Sequence, residues 1–245
     1  MARGHEGKIA VVTGAAAGIG QAYAARLAQD GAHVAIADVA PGNEETASLV
    51  RAAGREALTV RCDVSSPDDV ARLAREVQQK FGRADILVNN AGIYPMASFE
   101  ELTLEQWRKV MAVNLEGPFL VSKAFVPGMK ERRWGRFIAI SSVAVLQPVD
   151  GLILSNAART AIRGLVKSLS NEYAPYNVLV NNVCPGYTAT ERLQKLGFRA
   201  EGQIPLARAA TPEEFANVVV FLASERASYV TGVSIAVDGG WTKAL

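Results

Sequence analysis

Thr13-Gly14-x-x-x-Gly18-Ile19-Gly20 has a spacing suited to holding phosphates. It follows an apolar run at residues 8–13 (KIAVVT) and precedes an amphipathic stretch at 21–30, so it reads as strand, glycine turn and helix. Residues without a Cβ let the backbone approach a pyrophosphate, and the free N–H groups of a helix N-terminus carry the positive end of its dipole. Three glycines alone would mean little in a chain that has 21 of them. Asp38, 24 positions after Gly14 at the end of the next apolar run, adds a second requirement. A carboxylate there accepts hydrogen bonds from the adenosine ribose hydroxyls and repels a 2′-phosphate. Ala15-Ala16-Ala17 fills the turn, with no arginine to receive that phosphate. The expected cofactor is NAD, although a strand-end aspartate also suits a helix cap or a solvent-facing position. Asp63 and Val64, just beyond a third strand, would lie beside the adenine, and Asp63 would equally serve to cap a turn.

These residues work only if strand ends converge, and the rest of the chain provides for that. Buried-strand patterns at 8–13, 33–38, 57–61, 86–89, 137–141, 179–183 and 233–237 alternate with helical patterns at 21–30, 44–53, 66–81, a long stretch from 103, 157–173 and 211–223. Ser66-Pro67-Asp68-Asp69, Thr103-x-x-Gln106 and Thr211-Pro212-Glu213-Glu214 are helix-start signals. No linker, repeat or low-complexity segment interrupts the alternation. The expectation is one doubly wound α/β domain over 1–245, with a parallel seven-stranded sheet and ligands at the carboxyl ends of its strands.

Composition narrows the function further. The 245 residues are 49% hydrophobic, enough for a full core, and 26 Lys+Arg against 24 Asp+Glu leave a net charge of +2 without a long run of either sign. That balance argues against nucleic acid and against an anionic membrane as partners. No apolar run is long enough to span a bilayer, and the opening MARGHEGK lacks the apolar core of a signal peptide. Cys62 and Cys184 have neither motif spacing nor neighbouring histidines, so no metal is expected. A cytoplasmic protein fits these features.

Taken together, the Thr13–Gly20 turn, Asp63, Asn89-Asn90-Ala91-Gly92, Asn114, Ser142, Pro185-Gly186 and Val237-Asp238-Gly239-Gly240 resemble the short-chain dehydrogenase/reductase family over nearly the whole chain. The segment from Cys62 to Gly135, with NNAGIYP and AFVPGMK, is similar to members that oxidise aryl-substituted secondary alcohols. The resemblance implies a Rossmann-type fold and hydride transfer between a nicotinamide and an alcohol or carbonyl. It implies a homotetramer or dimer and a small apolar or aryl substrate. Asn89, Ala91 and Gly92 would flank the adenosine ribose, Thr190 would hold the carboxamide, and Pro185, Gly186 and Thr188 would complete the nicotinamide end. Ser142 would hydrogen-bond a substrate oxygen, and Asn114 would hold a water or a helix kink. Read without the family, the same two are a strand-end serine and a buried helical asparagine.

The chemistry departs from the family. Its pattern puts a tyrosine about thirteen residues after the active-site serine and a lysine four residues later; counted from Ser142, this chain has Ser155 and Arg159 there. The text around them, SNAARTAIRGLVKSL, follows the family's helix, so Tyr-x-x-x-Lys has become Ser-x-x-x-Arg, which resembles a diverged branch related to 3-oxoacyl reductases. Carbonyl reduction needs a proton from a group whose pKa lies near the working pH. A phenol at about 10, lowered by an adjacent ammonium, provides one. An aliphatic hydroxyl does not. Arg159 keeps its charge and would still hydrogen-bond the nicotinamide ribose. The sequence therefore supports two readings: an NAD-dependent dehydrogenase with an impaired or unusual proton path through solvent, Ser142, Ser155 or Tyr187, and a non-catalytic NAD-binding protein serving as a sensor or assembly partner.

Other candidates are weaker. Tyr94 and Tyr187 lie on loops at the expected site edge and serve as proton donors or as pocket walls. Cys184 reads as a small buried hydrophobe, Lys123 and Lys167 as helix-surface charges, and His5 and His33 as too remote. Met96, Leu146, Val149 and Leu152 join Tyr94 as expected apolar walls, residues 191–204 form the expected lid, and 119–129 with 162–169 supply apolar helix faces.

Overall fold

The computed structural model describes residues 4–190, 193, 200 and 202–244. Seven parallel strands form one sheet in the order β3-β2-β1-β4-β5-β6-β7. They are β1 (Ile9–Thr13), β2 (His33–Asp38), β3 (Ala57–Arg61), β4 (Ile86–Asn89), β5 (Gly135–Ile140), β6 (Val178–Pro185) and β7 (Ser234–Val237). Among the described residues the α-helices are α1 (Gly18–Gln29), α2 (Asn43–Ala52), α3 (Pro67–Phe81), α4 (Leu104–Met111), α5 (Gly117–Glu131), α6 (Ile153–Tyr173) and α7 (Pro212–Ala223).

Both faces of the sheet are covered, which is why β1, β2 and β4 run mostly apolar instead of alternating. Successive residues of β1 point to opposite sides. Ala10 and Val12 pack with Tyr23, Leu27 and Phe215 of α1 and α7. Val11 packs on the other face with Leu73, Phe125 and Ile162 of α3, α5 and α6. The strand order reverses direction between β1 and β4, whose ends therefore diverge into a crevice.

The expected caps are present. Ser66 Oγ accepts from Asp69 N, while Thr103 with Gln106 and Thr211 with Glu214 form reciprocal capping boxes. Several boundaries moved. Helix α1 takes in Gly18-Ile19-Gly20 as its first turn, α6 begins at Ile153 rather than 157, and β6 continues through Pro185. The long helix expected from 103 is two helices joined by a π-helical turn, Ala112–Glu116. The fully buried Asn114 causes the break locally: its side chain leaves the helix to bond the loop after β4.

Candidate functional site

A cleft of about 1590 Å³ runs along the carboxyl ends of the strands, from the glycine turn to the start of α6. The turn is shaped by close approach. A Cβ on Gly20 would stand 2.0 Å from the Gly14 carbonyl oxygen, so only glycine lets the helix start fold back on the strand end. At Gly18 φ is +61°, and a Cβ there would meet nothing nearer than Thr190 Cγ2 at 4.0 Å across the cleft. The missing side chain leaves that space to a ligand, so the turn fits the pyrophosphate of a dinucleotide.

Asn90 pins this turn to the neighbouring strand. Its Nδ2 donates to Thr13 O at 3.0 Å and to Gly14 O at 2.8 Å. Thr13 Oγ1 accepts from the backbone N–H of Asn90 and of Ala91 at 3.0 and 3.1 Å. The two strand ends at the switch point thus form one rigid corner. Asn89, expected beside the ribose, does not take part. Its side chain is buried, donating to Pro118 O at 3.0 Å and to Ser122 Oγ at 3.4 Å, and it is not among the residues lining the cleft. The side chain is thus turned away from the place expected for it: the period of a strand turns successive side chains to opposite faces, and Asn89 faces α5. Ala91 and Gly92 do line the cleft.

Asp38 and Asp63 both line the cleft while serving the local caps that the sequence also allowed. Asp38 Oδ2 accepts from Ala16 N and Oδ1 from Ala40 N, each at 2.9 Å. Each oxygen keeps a second lone pair for a ribose hydroxyl. Asp63 Oδ1 accepts from Ser65 N at 2.9 Å and Ser65 Oγ at 2.6 Å. Val64 and Ile19 complete the walls at this end.

At the other end, Ser142 follows β5 and lines the cleft, its Oγ accepting from Ala144 N at 3.1 Å. Ser155 sits in the first turn of α6, 5% exposed, its hydroxyl bonding to no other described residue, and opens to the cleft. Arg159 is one turn further along the same helix face. Its Nη1 donates to Ile140 O at 2.9 Å, and its Nη2 would stand 1.9 Å from a Cβ on Gly92. Glycine at 92 is therefore what admits the guanidinium. Burial pulls Arg159 down to about 10, so it stays charged at neutral pH.

Asn114 does not reach the cleft. Its Oδ1 accepts from Ile93 N at 2.8 Å and its Nδ2 donates to Ile93 O at 2.6 Å, so each polar group helps hold the loop after β4. It sits in the π-helical turn Ala112–Glu116, the kink being one of the two roles expected for it. The walls beyond β6 are Pro185, Gly186, Tyr187, Thr188 and Thr190. The Tyr187 ring packs edge-on against Trp241, centroids 5.7 Å apart at 84°. Tyr94, Met96, Val149 and Leu152 line the cleft as expected, but Leu146 does not. The expected lid lies largely outside the described residues; its Leu193 lines the cleft.

The remaining candidates fall away from the cleft. Cys184 is fully buried beside Ser141 Oγ at 3.4 Å, where burial raises its thiol. His5 is buried against Asp30, and His33 accepts from Glu56 N. Among the described residues there is no group of three or more metal-ligating side chains, and no helix is long and apolar enough to cross a membrane. The sequence reading missed the weight of Asn90 and the presence of Lys109, Asp150 and Trp241 in the walls. A polar side chain after a strand end was the available signal for Asn90, but nothing in the spacing separated it from Asn89.

A seven-stranded parallel sheet in this order, with a glycine turn at the switch point, defines a Rossmann-type nucleotide-binding domain. A family profile described as Enoyl-(Acyl carrier protein) reductase matches residues 14–242. The chain belongs to the short-chain dehydrogenase/reductase family. It is 39% identical over 244 residues to the 3-oxoacyl-[acyl-carrier-protein] reductase FabG of Thermotoga maritima, covering 96% of this chain and 98% of that one. It is 40% identical over 240 residues to the cis-4-hydroxycyclohexanecarboxylate dehydrogenase of Sinomonas cyclohexanicum, covering 96% of both. The crystal structure of L-sorbose reductase from Gluconobacter frateurii, complexed with NADPH and L-sorbose, superposes with a TM-score of 0.95 at 35% identity over the whole of both chains.

Proposed function

We propose that this chain is an NAD(H)-dependent oxidoreductase that interconverts a secondary alcohol and a ketone by an attenuated or unusual proton path. The observation that carries this reading is the single cleft joining the Gly14–Gly20 turn and Asp38 to Ser142 and Ser155. The relatives act on related chemistry by their names: a 3-oxoacyl reductase, a hydroxycyclohexanecarboxylate dehydrogenase and a sorbose reductase. That the sorbose reductase was solved with NADPH makes the choice of dinucleotide a matter for this chain's own residues, and here Asp38 supports NAD.

When bound, the nicotinamide would supply the hydride for the ketone carbon and take it back in the reverse direction. The chain's residues supply the rest. The glycine turn and α1 N-terminus would hold the pyrophosphate, Asp38 the adenosine ribose, and Asp63 and Val64 the adenine. Thr188 and Thr190 would hold the carboxamide with Pro185 and Gly186. Ser142 would hydrogen-bond the substrate oxygen, and the proton would reach that oxygen from solvent, Ser155 or Tyr187. Tyr94, Met96, Val149 and Leu152 favour a small apolar or aryl substrate. A homodimer or homotetramer and a cytoplasmic location complete the reading. Exposed Phe119 and Trp107 support association, whereas the rest of the apolar α5 face is spent on the sheet.

A second reading follows from Ser155 and Arg159 themselves: without a tunable acid, the chain binds NAD and does not turn over, acting as a sensor or assembly partner. NADH oxidation across a ketone panel, run beside the Ser155→Tyr/Arg159→Lys double variant, separates the two. An inert parent with an active double variant ends the enzyme reading. If both turn over, Tyr187→Phe identifies the donor by abolishing the parent's rate.

A further inference from the structure

One wall of the cleft comes from the last few residues of the chain. Trp241 follows the end of β7 by four positions, yet it lines the cleft beside Tyr187, which follows β6. The two rings meet edge to face. A short turn fixes Trp241 there. Asp238 Oδ1 accepts from Gly240 N at 2.9 Å, its Oδ2 from Thr242 N at 2.8 Å, and its carbonyl from Trp241 N at 3.2 Å. Beyond the turn, Lys243 N donates to Gln147 Oε1 at 2.9 Å, in the segment that runs from Ser142 to α6. Before it, Gly239 O accepts from Leu206 N at 3.2 Å. The backbone on both sides of Trp241 is thus held in advance, and its ring is braced by Tyr187. Tyr94, Tyr187 and Trp241 are the aromatic residues among those that line the cleft. Tyr94 and its neighbour Met96 are 39% and 58% exposed, on a stretch without helix or strand. A ring already fixed in place costs little to order when a ligand packs on it.

We propose that Trp241 is a specificity-determining residue, which selects a carbonyl or alcohol borne on an aromatic ring over the same group borne on a saturated one. The proposal rests on the alcohol–ketone reading only for placing the substrate at this end of the cleft. The other walls do not discriminate between ring types. Met96, Val149 and Leu152 offer apolar area, which a cyclohexyl and a phenyl ring fill equally well. An indole also offers a face of negative potential, to which an aryl ring turns its positive edge or on which it stacks with an offset. A saturated ring gains the burial alone. Because Tyr187 stands edge-on to Trp241, the aromatic surface at this corner is larger than that of one ring. Ser142, at the end of β5, and Tyr187, just beyond β6, come from adjacent strands, so a substrate oxygen at Ser142 puts the attached ring within reach of this pair.

Calorimetric titration of the full chain with acetophenone and with cyclohexyl methyl ketone tests this, with and without saturating NAD⁺. The two ketones differ in the aromaticity of the ring and little in its size. NAD⁺ has no hydride to give, so the complexes do not react, and binding is read whether or not the chain turns over. Acetophenone is expected to bind about 2–10-fold more tightly, the range that an aromatic pair adds beyond burial. Trp241→Leu should bring the two affinities together, and Trp241→Phe should keep most of the preference. Equal affinities in the parent, or a preference undiminished in Trp241→Leu, would overturn the proposal. Should Trp241→Leu not fold, Trp241→Phe decides by emission: acetophenone should quench tryptophan fluorescence in the parent and not in Trp241→Phe. Quenching that persists there, from Trp107 or Trp134, puts the ring elsewhere and ends the proposal. Binding of NAD⁺ is measured on its own. NAD⁺ bound without an aryl preference removes the role of Trp241 and leaves the cofactor reading standing. An aryl preference in a chain that does not bind NAD⁺ supports Trp241 and counts against that reading.

Discussion

At the glycine-turn end of the cleft, Asp38, Asp63 and Asn90 all have their side chains tied to backbone or to a neighbouring hydroxyl. At the α6 end, Ser155 has no partner and Arg159 has a carbonyl but no counter-ion among the described residues. Polar groups fixed before a ligand arrives cost nothing to order when it binds. Groups left unmatched need the ligand, or else mark chemistry that has been altered. One end of the cleft is therefore fixed in advance, while the other holds polar groups left unmatched.

The largest expected effect tests the altered end. Ser155→Tyr/Arg159→Lys should raise ketone reduction by about 10²–10⁴, the contribution of a positioned acid, as followed by NADH absorbance. No gain would mean that the contrast between the two ends has been drawn in the wrong place. Next is the binding end. Gly20→Ala drives a Cβ into the Gly14 carbonyl, which nothing flexible relieves. It should cost about 1–3 kcal/mol in thermal unfolding and weaken NADH at least as much.

Asn90→Ala removes both bonds to the Thr13 and Gly14 carbonyls and should cost a similar or slightly smaller amount, about 1–3 kcal/mol. Asn89→Ala should leave NADH affinity nearly unchanged by comparison, since that side chain faces Pro118 and Ser122. Asp38→Asn should move the NADH:NADPH affinity ratio toward NADPH by about tenfold, through loss of charge repulsion. An unmoved ratio would reduce Asp38 to the turn cap it also is.

The smallest effect lies outside the cleft. Burial holds the His5 imidazole below its ordinary 6.5 despite Asp30. The unfolded chain then binds the extra proton first, so stability should fall as pH drops below 6.5 and level off once the lowered folded value is passed. Urea midpoints between pH 7 and 5 check the slope, and His5→Gln should flatten it.

The fold and the glycine turn were legible because both rest on local rules. The unbroken apolar runs require two covered faces, and a strand–glycine–helix order specifies the turn. Three strands fell at their observed limits, since strongly apolar runs end where turn residues begin. Ser155 and Arg159 also stood out against the pattern that the resemblance implies. What spacing does not reveal is which way a side chain points after a strand ends. Asn89 and Asn90 are adjacent and identical in type, yet one is committed to α5 and the other to the glycine turn. Nor does spacing reveal that Asn114 would give both its polar groups to Ile93, or that glycine at 92 makes way for a guanidinium.

The π-helical turn at Ala112–Glu116 has one more consequence. A wider turn inserts roughly one residue into the helical count, which rotates everything after it by about 100°. Val113, just inside that turn, lines the cleft and also packs on the core that holds Val121 and Phe125 beyond it. Shortening the chain by one residue there would restore a plain helix and turn Val113 by that angle relative to Val121 and Phe125, so the segment works as a phase shifter between the cleft wall and the core.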